Sequence, residues 1–133
     1  VAHAKPRWIG GRPRPYEMTQ MRGISLPGSL AEYVALPANS VVPVPAHLSF
    51  EEASTLPIAG TTAWNAIRAA DVGPGSVVVL LGTGGVSIFT LQLAKAAGAT
   101  VIITSSSDES LANHRCKRGA SGLLSTKFPQ RKA

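Results

Sequence analysis

The stretch "VVVLLGTGGVS", Val77 to Ser87, decides the fold. Val77 to Leu81 are β-branched or aliphatic without interruption, as in a parallel strand buried on both faces. Glycines follow at 82, 84 and 85, and a helical pattern then spans 84–97. It predicts Val86, Phe89, Leu93 and Ala97 on one face and Gly98 as the C-terminal stop. The spacing is that of the dinucleotide-binding fingerprint G-x-G-x-x-G, with Ser87 in place of the third glycine. A strand that ends in glycines and runs straight into a helix presents free backbone N–H groups to an anion. The helix dipole adds partial positive charge at the same point. Gly82 permits the tight turn, and Gly84 lets the backbone approach a pyrophosphate. The third position serves helix–strand packing, where a residue as small as Ser87 is tolerated. The alternative is a turn whose glycines serve packing alone. A P-loop is excluded, because no G-K-[ST] follows the glycines.

Downstream, "TVIIT" (100–104) reads as a second buried strand. Ser106 and Glu109 form a capping box that opens a helix ending near Gly119, and "GLLS" (122–125) is a third strand. The sum is β-α-β-α-β, one mononucleotide-binding half of a doubly wound α/β fold. Such a fold selecting NAD places Asp or Glu roughly 20 residues beyond the glycines, on the adenosine ribose. Here "ITSSSDE" (103–109) puts Ser105 at that place. Serine hydroxyls can donate to a 2′-phosphate, which favours NADP(H) and leaves NAD(H) open. Asp108 and Glu109 are the alternative ribose carboxylates, and with Ser106 they also suit the cap of the next helix.

Upstream, residues 1–29 carry Pro6, Pro13, Pro15 and Pro27 with four glycines, which predicts extended surface chain without a helix. "SLAEYVALP" (29–37) reads as a short strand with Leu30, Tyr33 and Val34 as core candidates. "SVVPVP" (40–45) is extended, and Pro43 and Pro45 confine it to an edge or an unpaired segment. Ser49 and Glu52 form a capping box, and Pro57 interrupts the helix they start. Over 58–70 the helical pattern resumes, with Ile58, Thr62 and Ala66 on one stripe and Trp64 expected in the core beside Ile67. "DVGPGS" (71–76) closes it as a turn.

Length and composition fit this reading. The chain has 133 residues, 44% apolar and 15% charged, the profile of one ordinary globular domain. The one long apolar run is broken by Gly82, Gly84 and Gly85, so no transmembrane helix is expected. The start, "VAHAKPRWIGG", has no signal-like apolar region and no initiating Met, which predicts a piece of a longer chain. Cys116 is the single cysteine; it excludes an internal disulfide and a multi-cysteine zinc site, and it suits a reducing cytoplasm. The net charge of +6 comes from both ends, with Arg7, Arg12, Arg14 and Arg22 at one and Arg115, Lys117, Arg118, Lys127, Arg131 and Lys132 at the other. No aromatic interleaving or groove-reading helix accompanies these charges, so nucleic acid is not the expected partner. His3, His47 and His114 lack ligand spacing, and no Ser-His-Asp or paired-carboxylate arrangement can be assembled. The catalytic residue stays unassigned.

The blocks "GSLAEYVALPANSVVPVPAHLSFEEASTLP", "TTAWNAI" and "VGPGSVVVLLGTGGVSIFTLQLAKAAGATVIITSSSDE", in this order, resemble the medium-chain dehydrogenase/reductase superfamily. Within it the chain is similar to the zinc-free branch of NAD(P)-dependent alcohol dehydrogenase-like and quinone oxidoreductase-like proteins. The resemblance implies the end of a GroES-like catalytic domain over 1–48, joining helices over 49–72, and the truncated first half of a Rossmann-type cofactor domain over 73–133. It implies that Gly82, Thr83, Gly84, Gly85 and Val86 hold the cofactor pyrophosphate and that Thr62 lies beside the nicotinamide. Ser105 and Ser106 would sit at the adenosine ribose or its 2′-phosphate. Ile58 stands where zinc-dependent members carry a cysteine ligand, so no zinc is expected. Ser110 replaces a lysine common in this branch, which weakens the preference for NADP(H). The function implied is hydride transfer between NAD(P)H and a carbonyl, quinone or activated alkene, in a parent protein that could form a homodimer. For the 133 residues alone, the competing expectation is a catalytically silent fragment whose first strand is left as an unpaired apolar edge. A basic phosphate- or nucleic-acid-binding module is the weakest alternative.

Overall fold

The computed structural model describes residues 1–107, 109 and 122–125. The chain divides into two compact units, Val1–Ile58 and Ala59–Ala133. The break falls within the segment read as joining helices.

The first unit contains two five-residue helices, α1 (Pro15–Thr19) and α2 (Phe50–Ser54), and a 3₁₀ turn at Ala38–Ser40. The expectation of a helix-free start is therefore corrected at α1. Pro15 opens the helix, where its missing N–H costs nothing and its fixed φ suits the first turn. Glu17 completes the start: its carboxylate accepts from the Arg14 backbone N–H at 2.7 Å and from the Arg14 guanidinium at 2.7 Å. The strand expected over 29–37 is also corrected. Leu30 and Tyr33 are exposed, Tyr33 by 92%, and Val34 is not buried either. Among the described residues of this unit, β pairing amounts to two isolated bridges, Ala2 with Val41 and Arg22 with Leu26. An extended segment without a neighbouring ladder leaves its side chains nothing to pack on. Val41 belongs to the proline-flanked segment read as edge or unpaired chain, and it makes a single bridge there. The Ser49 cap forms as read: Ser49 Oγ accepts from the Glu52 N–H at 3.1 Å, and Glu52 Oε2 accepts from the Ser49 N–H at 2.9 Å.

In the second unit, α3 (Thr61–Ala69) buries Ala63 and Ile67. The predicted stripe is thus one residue out of phase. Thr62 and Ala66 are exposed, and Trp64 is 55% exposed rather than in the core. Ala63, completely buried, is small enough to let α3 come close to the next helix, so the chain turns that face inward. Two parallel crossovers follow from β1 (Val77–Leu80), α4 (Gly85–Ala96), β2 (Thr100–Ser105) and β3 (Gly122–Ser125). The sheet is parallel throughout in the order β1-β2-β3, with Val77 opposite Thr100 and Ile102 opposite Gly122. This is the arrangement the glycine turn predicts. On α4 the buried residues are Thr90, Leu91 and Ala94, with Phe89 and Leu93 only half-buried, so the expected stripe is again rotated. The helix stops where read, at Gly98 (φ +85°): the Gly98 and Ala99 N–H groups donate to the carbonyls of Lys95 and Ala94. The core joins Ile67, Leu80, Leu91, Ala94, Ala99, Val101 and Ile103.

One expectation about β1 fails. Val77, Val79 and Leu81 are 65%, 56% and 81% exposed, so the strand is covered on one face only. A strand is buried on both faces only when helices lie on both sides of its sheet, and α3 and α4 supply one layer. The helix expected between β2 and β3 lies outside the described residues except for Glu109, as do Asp108, Ser110, His114, Cys116 and the basic tail. Among the described residues no helix is long and apolar enough to cross a membrane.

Candidate functional site

The carboxyl ends of β1 and β2 lie side by side, because Leu80 pairs with Ile103 in the parallel ladder. Ligands of open α/β sheets bind outside these ends. Gly82 has φ +80°, a left-handed conformation that a side chain would strain, so the fold itself requires glycine there. Gly84 is different. It is the N-cap of α4 with φ −76° and ψ 172°, an ordinary extended geometry, and a Cβ built on it would meet no atom within 4 Å. Among the described residues nothing requires a glycine at 84, and the space above its Cα is open to them. Gly85 follows at the first helical position, where a Cβ would meet Ala59 Cβ at an ordinary 3.5 Å. Ala59 is three residues before Thr62, so the start of α3 adjoins the turn. Thr62 itself is exposed, as is Val86 by 41%.

The cap of α4 has no side-chain hydrogen bond, since Gly84 has no side chain to offer. The first backbone bond of the helix runs from the Ile88 N–H to the Gly84 carbonyl at 3.0 Å. Amides earlier in the helix have no intrahelical acceptor, and they point toward the N-terminal end. Thr62, Gly82, Thr83, Gly84, Gly85, Val86, Ser105 and Ser106 include no ionisable side chain. Attraction for an anion at this place would come from backbone dipoles rather than from formal charge.

The two serines after β2 have different surroundings. Ser105 is buried, and its Oγ accepts from the Ser107 N–H at 3.1 Å. Ser106 is exposed. Two further hydroxyls contact the turn directly, that of Thr104, which a reading for glycines passes over, and that of Ser87, read as a small substitute for the third glycine. Thr104 Oγ1 accepts from the Gly82 N–H at 3.2 Å, and Ser87 Oγ donates to the Leu81 carbonyl at 3.2 Å. A threonine at the end of the second strand was the only sequence signal for the first. Among the described residues, no three His, Cys, Asp or Glu side chains come together as a metal site.

The basic start is partly neutralised locally. Arg14 forms an ion pair with Glu17 at 2.7 Å and lies 4.8 Å from the Tyr16 ring centroid.

No protein-family model matches the chain. A zinc-type alcohol dehydrogenase-like protein of Schizosaccharomyces pombe is 47% identical over 107 residues, which are 78% of this chain and 31% of that protein. Among solved structures, a NAD-dependent alcohol dehydrogenase superposes with a TM-score of 0.76 at 37% identity, over 83% of this chain and 32% of that one. The quinone oxidoreductase of Thermus thermophilus, solved also in complex with NADPH, gives a TM-score of 0.68 at 33% identity, over 77% and 34%. The chain thus spans about a third of the length of the relatives it matches. Across most of its own length it is a homologue of the alcohol dehydrogenases and quinone oxidoreductases of the medium-chain dehydrogenase/reductase superfamily.

Proposed function

We propose that the turn Gly82–Val86 holds the pyrophosphate of a nicotinamide dinucleotide, as part of an NAD(P)H-dependent oxidoreductase that works without zinc. The observation that carries this reading is Gly84: the fold does not need a glycine there, and a phosphate lying against the backbone does. The residues fit the group. The open space over Gly84 admits a phosphate, and the uncapped amides of the first turn of α4 supply donors. Ser106, exposed just after β2, is the hydroxyl we assign to the adenosine ribose or its 2′-phosphate. Ser105 acts behind it, since its buried Oγ already holds the Ser107 N–H. Thr62, exposed on α3, is the residue we assign to the nicotinamide end.

When bound, the nicotinamide supplies the hydride, exchanged with a carbonyl, quinone or activated alkene. This chain's residues anchor the cofactor at its adenosine and pyrophosphate end, remote from the reacting carbon, which fixes its orientation. None of the site residues carries a proton that titrates near neutrality, so they offer no general acid. The role read for the 133 residues is cofactor binding, with a catalytically silent fragment as the alternative to an active chain. NADP(H) is favoured because the exposed Ser106 hydroxyl can donate to a 2′-phosphate, with NAD(H) and a ribose carboxylate at Asp108 or Glu109 as the alternative.

The test is a titration with NADPH and NADH, followed by tryptophan fluorescence or NMR, on the wild-type chain and Gly84→Ala. Saturable binding is expected, with NADPH at least as tight as NADH. The added methyl should weaken binding about tenfold and leave stability within about 0.5 kcal/mol, since it meets no protein atom. A wild-type chain that shows no saturable change up to millimolar cofactor overturns the reading.

A further inference from the structure

We infer that Ser87 and Thr104 are positioning residues that lock the peptide unit entering the glycine turn; this rests on the cofactor reading above. The two hydroxyls reach opposite ends of one peptide group. Ser87 Oγ, from the first turn of α4, donates to the Leu81 carbonyl at 3.2 Å. The N–H of the next residue, Gly82, donates to Thr104 Oγ1, from the end of β2, at 3.2 Å. Carbonyl and N–H belong to the same planar unit, Leu81–Gly82, so both polar groups of that unit are held by side chains from two different elements.

This peptide is the one that needs holding. The β1 ladder with β2 ends at Leu80, so no strand pairing fixes the unit that follows. A peptide rotates in place by compensating changes in the ψ before it and the φ after it. The φ after it belongs to Gly82, at +80°, and glycine populates positive and negative φ about equally. The residue that makes the turn possible thus also leaves its entry loosely defined. Rotation of the Leu81–Gly82 unit takes φ of Gly82 away from the +80° on which the turn toward Gly84, where the phosphate is read to lie, depends. It must break both hydroxyl bonds at once. Thr104 is buried and its bond to the Gly82 N–H is partly shielded from solvent, so losing that bond costs more than losing a fully exposed one.

The same geometry gives Ser87 a purpose. Read from the sequence, it is a tolerated substitute for a glycine that serves packing. In the structure it supplies a hydrogen bond that glycine cannot make.

The experiment compares the full 133-residue chain with Thr104→Val, Thr104→Ser, Ser87→Ala and Ser87→Gly. Each is titrated by NMR with NADPH and with adenosine 2′-phosphate, which lacks the pyrophosphate. Thr104→Val, Ser87→Ala and Ser87→Gly should each bind NADPH about five- to tenfold more weakly. Thr104→Ser, which keeps the hydroxyl, should stay within about twofold. Adenosine 2′-phosphate should bind all five chains alike. The assignment is overturned if Thr104→Val and the Ser87 variants bind NADPH as wild type does, or if Thr104→Ser is as weak as Thr104→Val. It is also overturned if Ser87→Gly, which restores the glycine motif, binds as tightly or tighter. Parallel loss of both ligands would mark a merely structural role and overturns it too. A wild-type chain that binds no NADPH overturns the cofactor reading itself, which wild-type binding with unaffected variants does not.

Discussion

The two units reach order by different means. In Ala59–Ala133 seven apolar residues from α3, β1, α4 and β2 and the turn before β2 form one buried cluster, with Leu91, Val101 and Ile103 wholly inaccessible. In Val1–Ile58 the buried apolar residues among those described are Pro6 and Ala53. That unit is held by local devices, the Arg14–Glu17 pair and the Ser49–Glu52 capping box, and by a few long-range backbone contacts such as the Ala2–Val41 bridge. Its large apolar side chains, Ile9, Ile24, Leu30 and Tyr33, are exposed. A parallel βαβ unit closes a core from consecutive segments, whereas extended chain needs a partner that its own neighbours do not provide. The glycine turn is therefore mounted on the half with the core.

The contrast is broken most directly at Leu91. Leu91→Ala should cost about 2–5 kcal/mol, read from the urea midpoint of helical circular dichroism. Tyr33→Ala, at a position 92% exposed, should change stability by less than about 0.5 kcal/mol. Equal effects would mean that the two units are not held so differently.

The next effect concerns the local devices. Ser49→Ala removes an N-cap acceptor and should cost α2 about 1 kcal/mol, seen as faster amide exchange at Glu52 and Ala53. Within the core unit a change of opposite sign is expected. Asp71 follows α3 with φ +47°, and its N–H and that of Val72 donate to the carbonyls of Arg68 and Ile67. Glycine is the natural residue at this position, so Asp71→Gly should stabilise by about 0.5–1 kcal/mol, measured as a raised unfolding midpoint.

The smallest effect is a pH dependence confined to the first unit. Hydrogen bonds from the Arg14 guanidinium and then the Arg14 backbone N–H hold the Glu17 carboxyl below its ordinary range. A carboxylate whose folded pKa is lowered contributes fully above its unfolded value of about 4.3. That contribution is lost as the pH falls through the lowered folded value. Trp8 fluorescence should report the acid transition, and Glu17→Gln should remove it while leaving α4 unchanged.

Much of the second unit was legible in advance. Val77–Leu81, the glycines and the "TVIIT" segment impose their own periodicity, and Gly98 ends α4 because a positive φ has to fall somewhere after a helix. The stripes on α3 and α4 were each misread in phase. Small residues, Ala63 and Ala94, are wholly buried on these helices, and hydrophobic periodicity gives small residues too little weight. In the first unit the apolar letters of "SLAEYVALP" suggested a strand, but β structure is decided by a partner that local sequence does not specify.

The sequence by itself determined the order of the described elements from α3 to β3, the two helix boundaries at Ser49 and Gly98, and the need for glycine at 82. Each rests on short-range sterics or on a hydrogen bond within a few residues. Only the tertiary structure decided that β1 is covered on one face, and that Gly84 lies open where the protein makes no demand on it. It alone brought Thr104, 22 residues away in the chain, onto the Gly82 N–H. Parallel strand pairing sets that contact, because it aligns the ends of strands that are far apart in sequence.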